Sequence, residues 1–257
     1  MAEVEIFSEG KTPGMNEDRA VYSAGSFVVA DGATDKSGRL RDGMTGGEVT
    51  ADLVAQLCIN TDLNGSELVE MLNGEVRKLY DDTDTADADK GVRRFTCGFV
   101  LCRLAGDKIV ITKVGDVGFR INGKNLYREK NAVDVMTAAK RAEYITRTGD
   151  VTAAREHIMP DLRAQYRYQN DGGHELGYGA IDGTTTPDKF IKVFEYDRKE
   201  VATVELFTDG YFEIPTEAAI DAWENTHKRV EEEDPDKYLK YKSTKSKDDR
   251  TVMIIRL

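Results

Sequence analysis

The chain is poor in the residues that soft-metal and covalent chemistry need. Three histidines in 257 residues, His157, His174 and His227, lie too far apart in sequence to suggest a zinc triad. Cys58, Cys97 and Cys102 are odd in number and form no C-x-x-C pair, which argues against a disulfide framework. Each falls in an apolar stretch, so buried free thiols and a reducing compartment, the cytoplasm, are expected. Positive charge is also short, with 36 Lys and Arg against 47 Asp and Glu, a net −11. That balance argues against a nucleic-acid partner, because affinity for a phosphate backbone needs basic surface. No stretch approaches the length of an apolar membrane span, and Met1-Ala2-Glu3-Val4-Glu5 lacks a basic leader, so no membrane partner is expected. The glycine-dense run Gly172 to Gly179 lacks the G-x-x-x-x-G-K-[ST] order of a nucleotide loop.

What the chain does have is strands that end in acid and glycine. Phe27-Val28-Val29-Ala30 stops at Asp31-Gly32, and Val204 to Thr208 stops at Asp209-Gly210. Acids also flank expected strands at Asn16-Glu17-Asp18, Gly115-Asp116 and Asp248-Asp249. A single Asp-Gly is more often an ordinary turn, and Glu17 and Asp18 alone could be solvated edge charges. Brought together by one pair of sheets, these acids would make an all-oxygen cluster suited to hard divalent cations.

The periodicity predicts strands at Glu3 to Ser8, Ala20 to Tyr22, Phe27 to Asp31, Phe95 to Leu104, Lys108 to Val114, Gly118 to Asn122, near Leu126, Phe190 to Tyr196, Val201 to Thr208 and Thr251 to Leu257. The turns between residues 95 and 128 read as one antiparallel meander. Apolar stripes at helical spacing run through Val49, Leu53 and Leu57 and through Leu68, Leu72 and Val76. Residues 129–170 read as a polar helical insertion or flap, with segments Ala132 to Ile145 and Val151 to Arg167 and a break at Met159-Pro160. A helix is expected from Pro215 to Lys228, started by its proline. Glu231 to Lys247 reads as a solvated charge run.

The order Asn16-Glu17-Asp18, Val29-Ala30-Asp31-Gly32, Phe95-Thr96-Cys97-Gly98, Val114-Gly115-Asp116, Phe207-Thr208-Asp209-Gly210, Asp248-Asp249-Arg250-Thr251 resembles the metal-dependent protein phosphatases of type 2C, bacterial type. The resemblance implies one α+β domain over residues 1–257, a four-layer α-β-β-α sandwich of two antiparallel sheets. It implies hydrolysis of phosphoserine and phosphothreonine in proteins, within a Ser/Thr kinase pathway, by a water activated at two Mg²⁺ or Mn²⁺ ions. Asp31 would bridge the ions, with Asp209 and Asp248 completing one and the Gly32 carbonyl binding the other. Glu17 and Asp18 would act on the second ion, partly through water, and Asp116 on a weaker third.

The chain departs from the family pattern at three positions. Pro13 stands where an arginine commonly clamps phosphate, leaving Lys11, Arg39 and Arg41 as the phosphate-binding candidates. Ala33 stands where eukaryotic relatives carry a histidine, and Glu213 replaces a later aspartate. The competing readings are a catalytically weak regulatory or binding module and a carboxylate-rich structural metal binder without turnover.

Overall fold

Alternation along single strands decides the architecture, because successive side chains of a strand point to opposite faces. In the strand Ser26–Gly32, Val28 and Ala30 enter one apolar cluster while Phe27 and Val29 enter another. In Arg250–Arg256, Met253 and Ile255 join the second cluster while Val252 and Ile254 enter a third. Three apolar layers require four layers of secondary structure. The computed structural model describes residues 2–34, 36, 40–80 and 94–257 and has that arrangement.

Among the described residues the ten strands are β1 (Glu3–Glu9), β2 (Asp18–Tyr22), β3 (Ser26–Gly32), β4 (Cys97–Ala105), β5 (Lys108–Val114), β6 (Gly118–Ile121), β7 (Asn125–Tyr127), β8 (Lys192–Asp197), β9 (Thr203–Phe207) and β10 (Arg250–Arg256). They form two antiparallel sheets, β1-β10-β9-β6-β7 and β2-β3-β4-β5-β8. Helices α1 (Gly46–Ile59) and α2 (Gly65–Arg77) cover the second sheet through Val54, Leu68 and Leu72. On the first sheet, Trp223 of the helix Ile220–Glu233 packs on Phe207 and Ile254. Phe99 is fully buried under α1 and α2, and truncating such a side chain to Ala costs roughly 3–5 kcal/mol.

Three expectations need correction. Residues 95–128 are not one meander: β4 and β5 belong to one sheet and β6 and β7 to the other, so the chain changes sheets at 115–117. Gly115, at φ +89°, makes that crossing, and a Cβ there would come within 2.9 Å of the Gly98 Cα. The helix expected from Pro215 starts only at Ile220, because the Pro215 carbonyl accepts from Arg120 in a buried network with Glu205 and Trp223. Residues 151–167 do break at the expected Met159-Pro160, into Val151–His157, Met159–Ala164 and a 3-10 turn. The run 231–247 is not simply solvated: Asp234 is buried and accepts from the backbone N–H groups of Tyr238, Leu239, Lys240 and Tyr241.

The helical region after β7 opens with α3 (Ala132–Thr148), followed by α4 (Val151–His157) and α5 (Met159–Ala164). Arg141 of α3 is buried and donates to the carbonyls of Asp236, Lys237 and Ser243 and to Ser246 Oγ. Arg155 of α4 donates to the Thr244 carbonyl. The region is thereby tied to the segment that leads into Asp248. Among the described residues no helix is long and apolar enough to cross a membrane, and all three cysteines are buried and free.

Candidate metal centre

Register carries the acids to one end of the sandwich. Antiparallel pairing sets Asp18 of β2 opposite Asp31 of β3. The Thr208 N–H, just past β9, donates to the carbonyl of Thr251 in β10 at 3.0 Å, so Asp209 and Asp248 flank neighbouring strand ends. Asp116 lies in the crossing between β5 and β6. Asp31, Gly32, Asp116, Asp209 and Asp248 line one cavity of about 600 Å³. Gly32 is dictated by close approach, since a Cβ there would sit 2.6 Å from the carbonyl oxygens of both Glu17 and Gly47.

The carboxylates repel one another in a site withdrawn from water. Asp31 is held well above the ordinary carboxylate range, first by desolvation and then by Asp18, Asp209, Asp116 and Asp248. Asp18 is also raised well above it, by desolvation first, against the opposing hydrogen bond from Thr208. Asp209 is raised by burial and then by Asp116. Asp116 is pushed up to about 6 by burial and then by Asp134. Asp248 is pushed up to about 6 by burial, which Lys245 opposes and Asp209 reinforces.

Glu17 and Asp18 are each only 2% exposed, so they are not solvated edge charges. They sit behind the carboxylates that line the cavity. Glu17 accepts from Thr45 Oγ1 at 2.7 Å and, at its other oxygen, from Lys11 Nζ. Asp18 Oδ2 accepts from Thr208 Oγ1 at 2.9 Å, while its Oδ1 is buried without a hydrogen-bond partner. That orphan oxygen, the mutual repulsion and the all-oxygen donor set fit a hard divalent ion. Among the described residues no three His, Cys, Asp or Glu side chains form a preassembled ligand group.

The phosphate-binding candidates fall elsewhere. Lys11 Nζ is engaged by Glu17, by Asp249 at 2.8 Å and by Thr34 Oγ1 at 3.0 Å. The Arg41 guanidinium lies over the Phe95 ring, 4.6 Å from its centre, and neither residue lines the cavity. Arg39 lies outside the described residues. Glu213 accepts from Arg229 and from Tyr241 Oη, also away from the cavity lining.

Two cavity residues escaped sequence reasoning. Lys245 pairs with Asp248 at 2.5 Å. Burial opposes its charge, yet Asp248 and Asp209 raise its pKa on balance. Arg128, directly after β7, donates to the carbonyls of Asp209, at 2.9 Å, and of Tyr211. An arginine one residue past a strand is the sole local signal for it.

The family model of protein phosphatase 2C matches residues 15–241. The chain belongs to the protein phosphatase 2C family. With membership comes its class, a phosphoprotein phosphatase of the serine/threonine type. Among solved structures it is similar to the serine/threonine phosphatase Stp1 from Staphylococcus aureus, with 14% identity, a TM-score of 0.55 and coverage of 100% of this chain and 95% of that one. It is also similar to the Mycobacterium tuberculosis phosphatase PstP/Ppp, with 16% identity, a TM-score of 0.54 and coverage of 100% and 98%. A third match is the catalytic domain of PstP in complex with two manganese ions, with 15% identity, a TM-score of 0.55 and coverage of 99% and 97%. At these identities the structures speak for a shared fold. Comparison with curated proteins returned no match.

Proposed function

We propose that this phosphatase hydrolyses phosphoserine and phosphothreonine in proteins at a centre of two Mg²⁺ or Mn²⁺ ions. Asp31 would be shared between the ions, Asp209 and Asp248 would help hold one, and the Gly32 carbonyl would help hold the other. Glu17 and Asp18 would support the second ion, and Asp116 would hold a weaker third. The observation that carries this reading is the convergence of Asp31, Asp116, Asp209 and Asp248 on one cavity, each with its pKa raised. A structural relative with two manganese ions supports the choice of cofactor.

When bound, the ions supply Lewis acidity for phosphoester hydrolysis and offset the negative charge of the site. The protein's own part is placement. The β2–β3 register sets Asp31 beside Asp18, the Thr208 hydroxyl fixes Asp18, and Lys245 orients Asp248. The buried thiols take no part: burial pushes Cys58 and Cys102 up to about 12 and holds Cys97, which lines the cavity, well above the ordinary thiol range, so all three stay protonated. The expected substrate is a phosphorylated protein supplied by a Ser/Thr kinase.

A second reading, a catalytically weak regulatory module, draws on Glu17, whose two oxygens are both engaged by Thr45 and Lys11. Steady-state hydrolysis of a phosphothreonine peptide and of p-nitrophenyl phosphate, with and without Mn²⁺, separates the two. Mn²⁺-dependent turnover of both substrates is expected; its absence would favour the module.

A further inference from the structure

Among the described residues, seven lysine and arginine side chains line the cavity. Three are closed in ion pairs: Arg94 with Asp182 at 3.0 Å, Lys240 with Glu233 at 2.7 Å and Lys245 with Asp248 at 2.5 Å. Lys36 donates to the Thr34 carbonyl at 2.6 Å. Lys130 and Lys242 are exposed, where an ammonium on a flexible stem is strongly hydrated.

Of the seven, Arg128 and Lys36 are half-buried with only neutral carbonyl partners among the described residues. Of this pair, only Arg128 offers a planar fork, held by the carbonyls of Asp209 and Tyr211. Burial opposes the Arg128 charge and lowers its pKa on balance, against the favourable field of Asp209, Asp116 and Asp31. A guanidinium carries five N–H donors in a rigid plane. Two are taken here, one on each Nη, and the Nε–H is buried without a partner. Each Nη therefore keeps one further hydrogen. The two carbonyl bonds hold the plane against the turn that bears Asp209, so the fork is oriented in advance.

We propose that Arg128 is the phosphate-contacting residue of this site, offering the phosphoryl oxygens the remaining hydrogens of its Nη atoms. The assignment rests on the phosphatase reading above and adds to it the group that orients the substrate's phosphoryl end. Lysine cannot replace it, because a point charge lacks the planar fork and the simultaneous hold on both carbonyls.

The test is the inhibition constant of inorganic phosphate against p-nitrophenyl phosphate hydrolysis, measured in saturating Mn²⁺ for the wild type, Arg128→Lys and Arg128→Met. Mn²⁺ affinity is measured in parallel by titration calorimetry. Both substitutions are expected to raise the phosphate constant about tenfold or more, the scale of a lost pair of charge-assisted hydrogen bonds. Mn²⁺ affinity should stay within about threefold of wild type. An unchanged phosphate constant would overturn the assignment. So would a fall in Mn²⁺ affinity that accounts for the whole effect, since Arg128 would then act only by holding the Asp209 turn. A wild type without metal-dependent turnover would instead overturn the underlying phosphatase reading, and this assignment with it.

Discussion

Asp248 and Asp249 are neighbours in sequence that face opposite ways. Asp248 lines the cavity and pairs with Lys245, whereas Asp249 is buried and accepts from both the backbone N–H and the Nζ of Lys11. Both lie just ahead of β10, and their separate partners, Lys245 for one and Lys11 for the other, hold the split.

Asp248→Asn should lower kcat/KM by about 10² or more, roughly 2.7 kcal/mol of transition-state stabilisation. Asp249→Asn should keep activity within about tenfold and instead lower Tm. It leaves Lys11 with Glu17 alone, at a cost of about 1–3 kcal/mol, below that of a fully buried pair. Kinetics and thermal melts on both proteins check the contrast, and an inactive Asp249→Asn beside an active Asp248→Asn would reverse the assignment.

Lys11 acts as a clasp between Glu17 and Asp249. Lys11→Met should lower Tm by several degrees, because it leaves two buried carboxylates facing each other unpaired. Inhibition by inorganic phosphate should change by less than about threefold. A loss of phosphate affinity without loss of stability would restore Lys11 as a phosphate ligand.

Proton linkage gives the metal-free protein a characteristic pH response. A carboxyl whose folded pKa lies above its unfolded value holds its proton more tightly in the native state. Its stabilising contribution is therefore present at low pH and lost as pH rises through the folded pKa. With Asp116 and Asp248 raised to about 6, the metal-free protein should lose stability as pH rises from about 4 to above 6. The rise in Tm on adding Mn²⁺ should grow over the same range, as metal replaces protons. Melts at several pH values, with chelator and with Mn²⁺, measure both trends. A Mn²⁺ shift that shrinks with pH would count against carboxylate ligation.

Arg141 joins α3 to the segment that leads into Lys245 and Asp248 through three carbonyls and the Ser246 hydroxyl. Arg141→Met removes the donor from one buried and three part-buried acceptors, so a loss of about 1–3 kcal/mol is expected in denaturant unfolding. Activity should fall as well, because Asp248 loses its support. Unchanged stability would mean that the helical region is not anchored there.

The strands and the apolar stripes of α1 and α2 were legible because their signal is local, whereas the four-layer arrangement came with the family resemblance. The crossing at 115–117 was not legible, since Val-Gly-Asp reads like any hairpin turn until the chain changes sheets. Pro215 looked like a helix start because the Arg120 that holds its carbonyl lies far away in sequence. Among the candidate site residues, acids at strand ends stood out by their repetition. Arg128 and Lys245 did not, because their partners at Asp209, Tyr211 and Asp248 are set by tertiary structure. Lys11 carried the right charge for phosphate, and only the folded chain reveals that Glu17 and Asp249 already hold it.

Turnover of a phosphothreonine peptide, measured first in excess chelator and then after Mn²⁺ is restored, bears most directly on the two-ion centre. The expected result is no hydrolysis in chelator, recovery with Mn²⁺ and no recovery in Asp31→Asn. Hydrolysis undiminished by chelator, or full Mn²⁺-dependent activity in Asp31→Asn, would contradict a centre organised around Asp31.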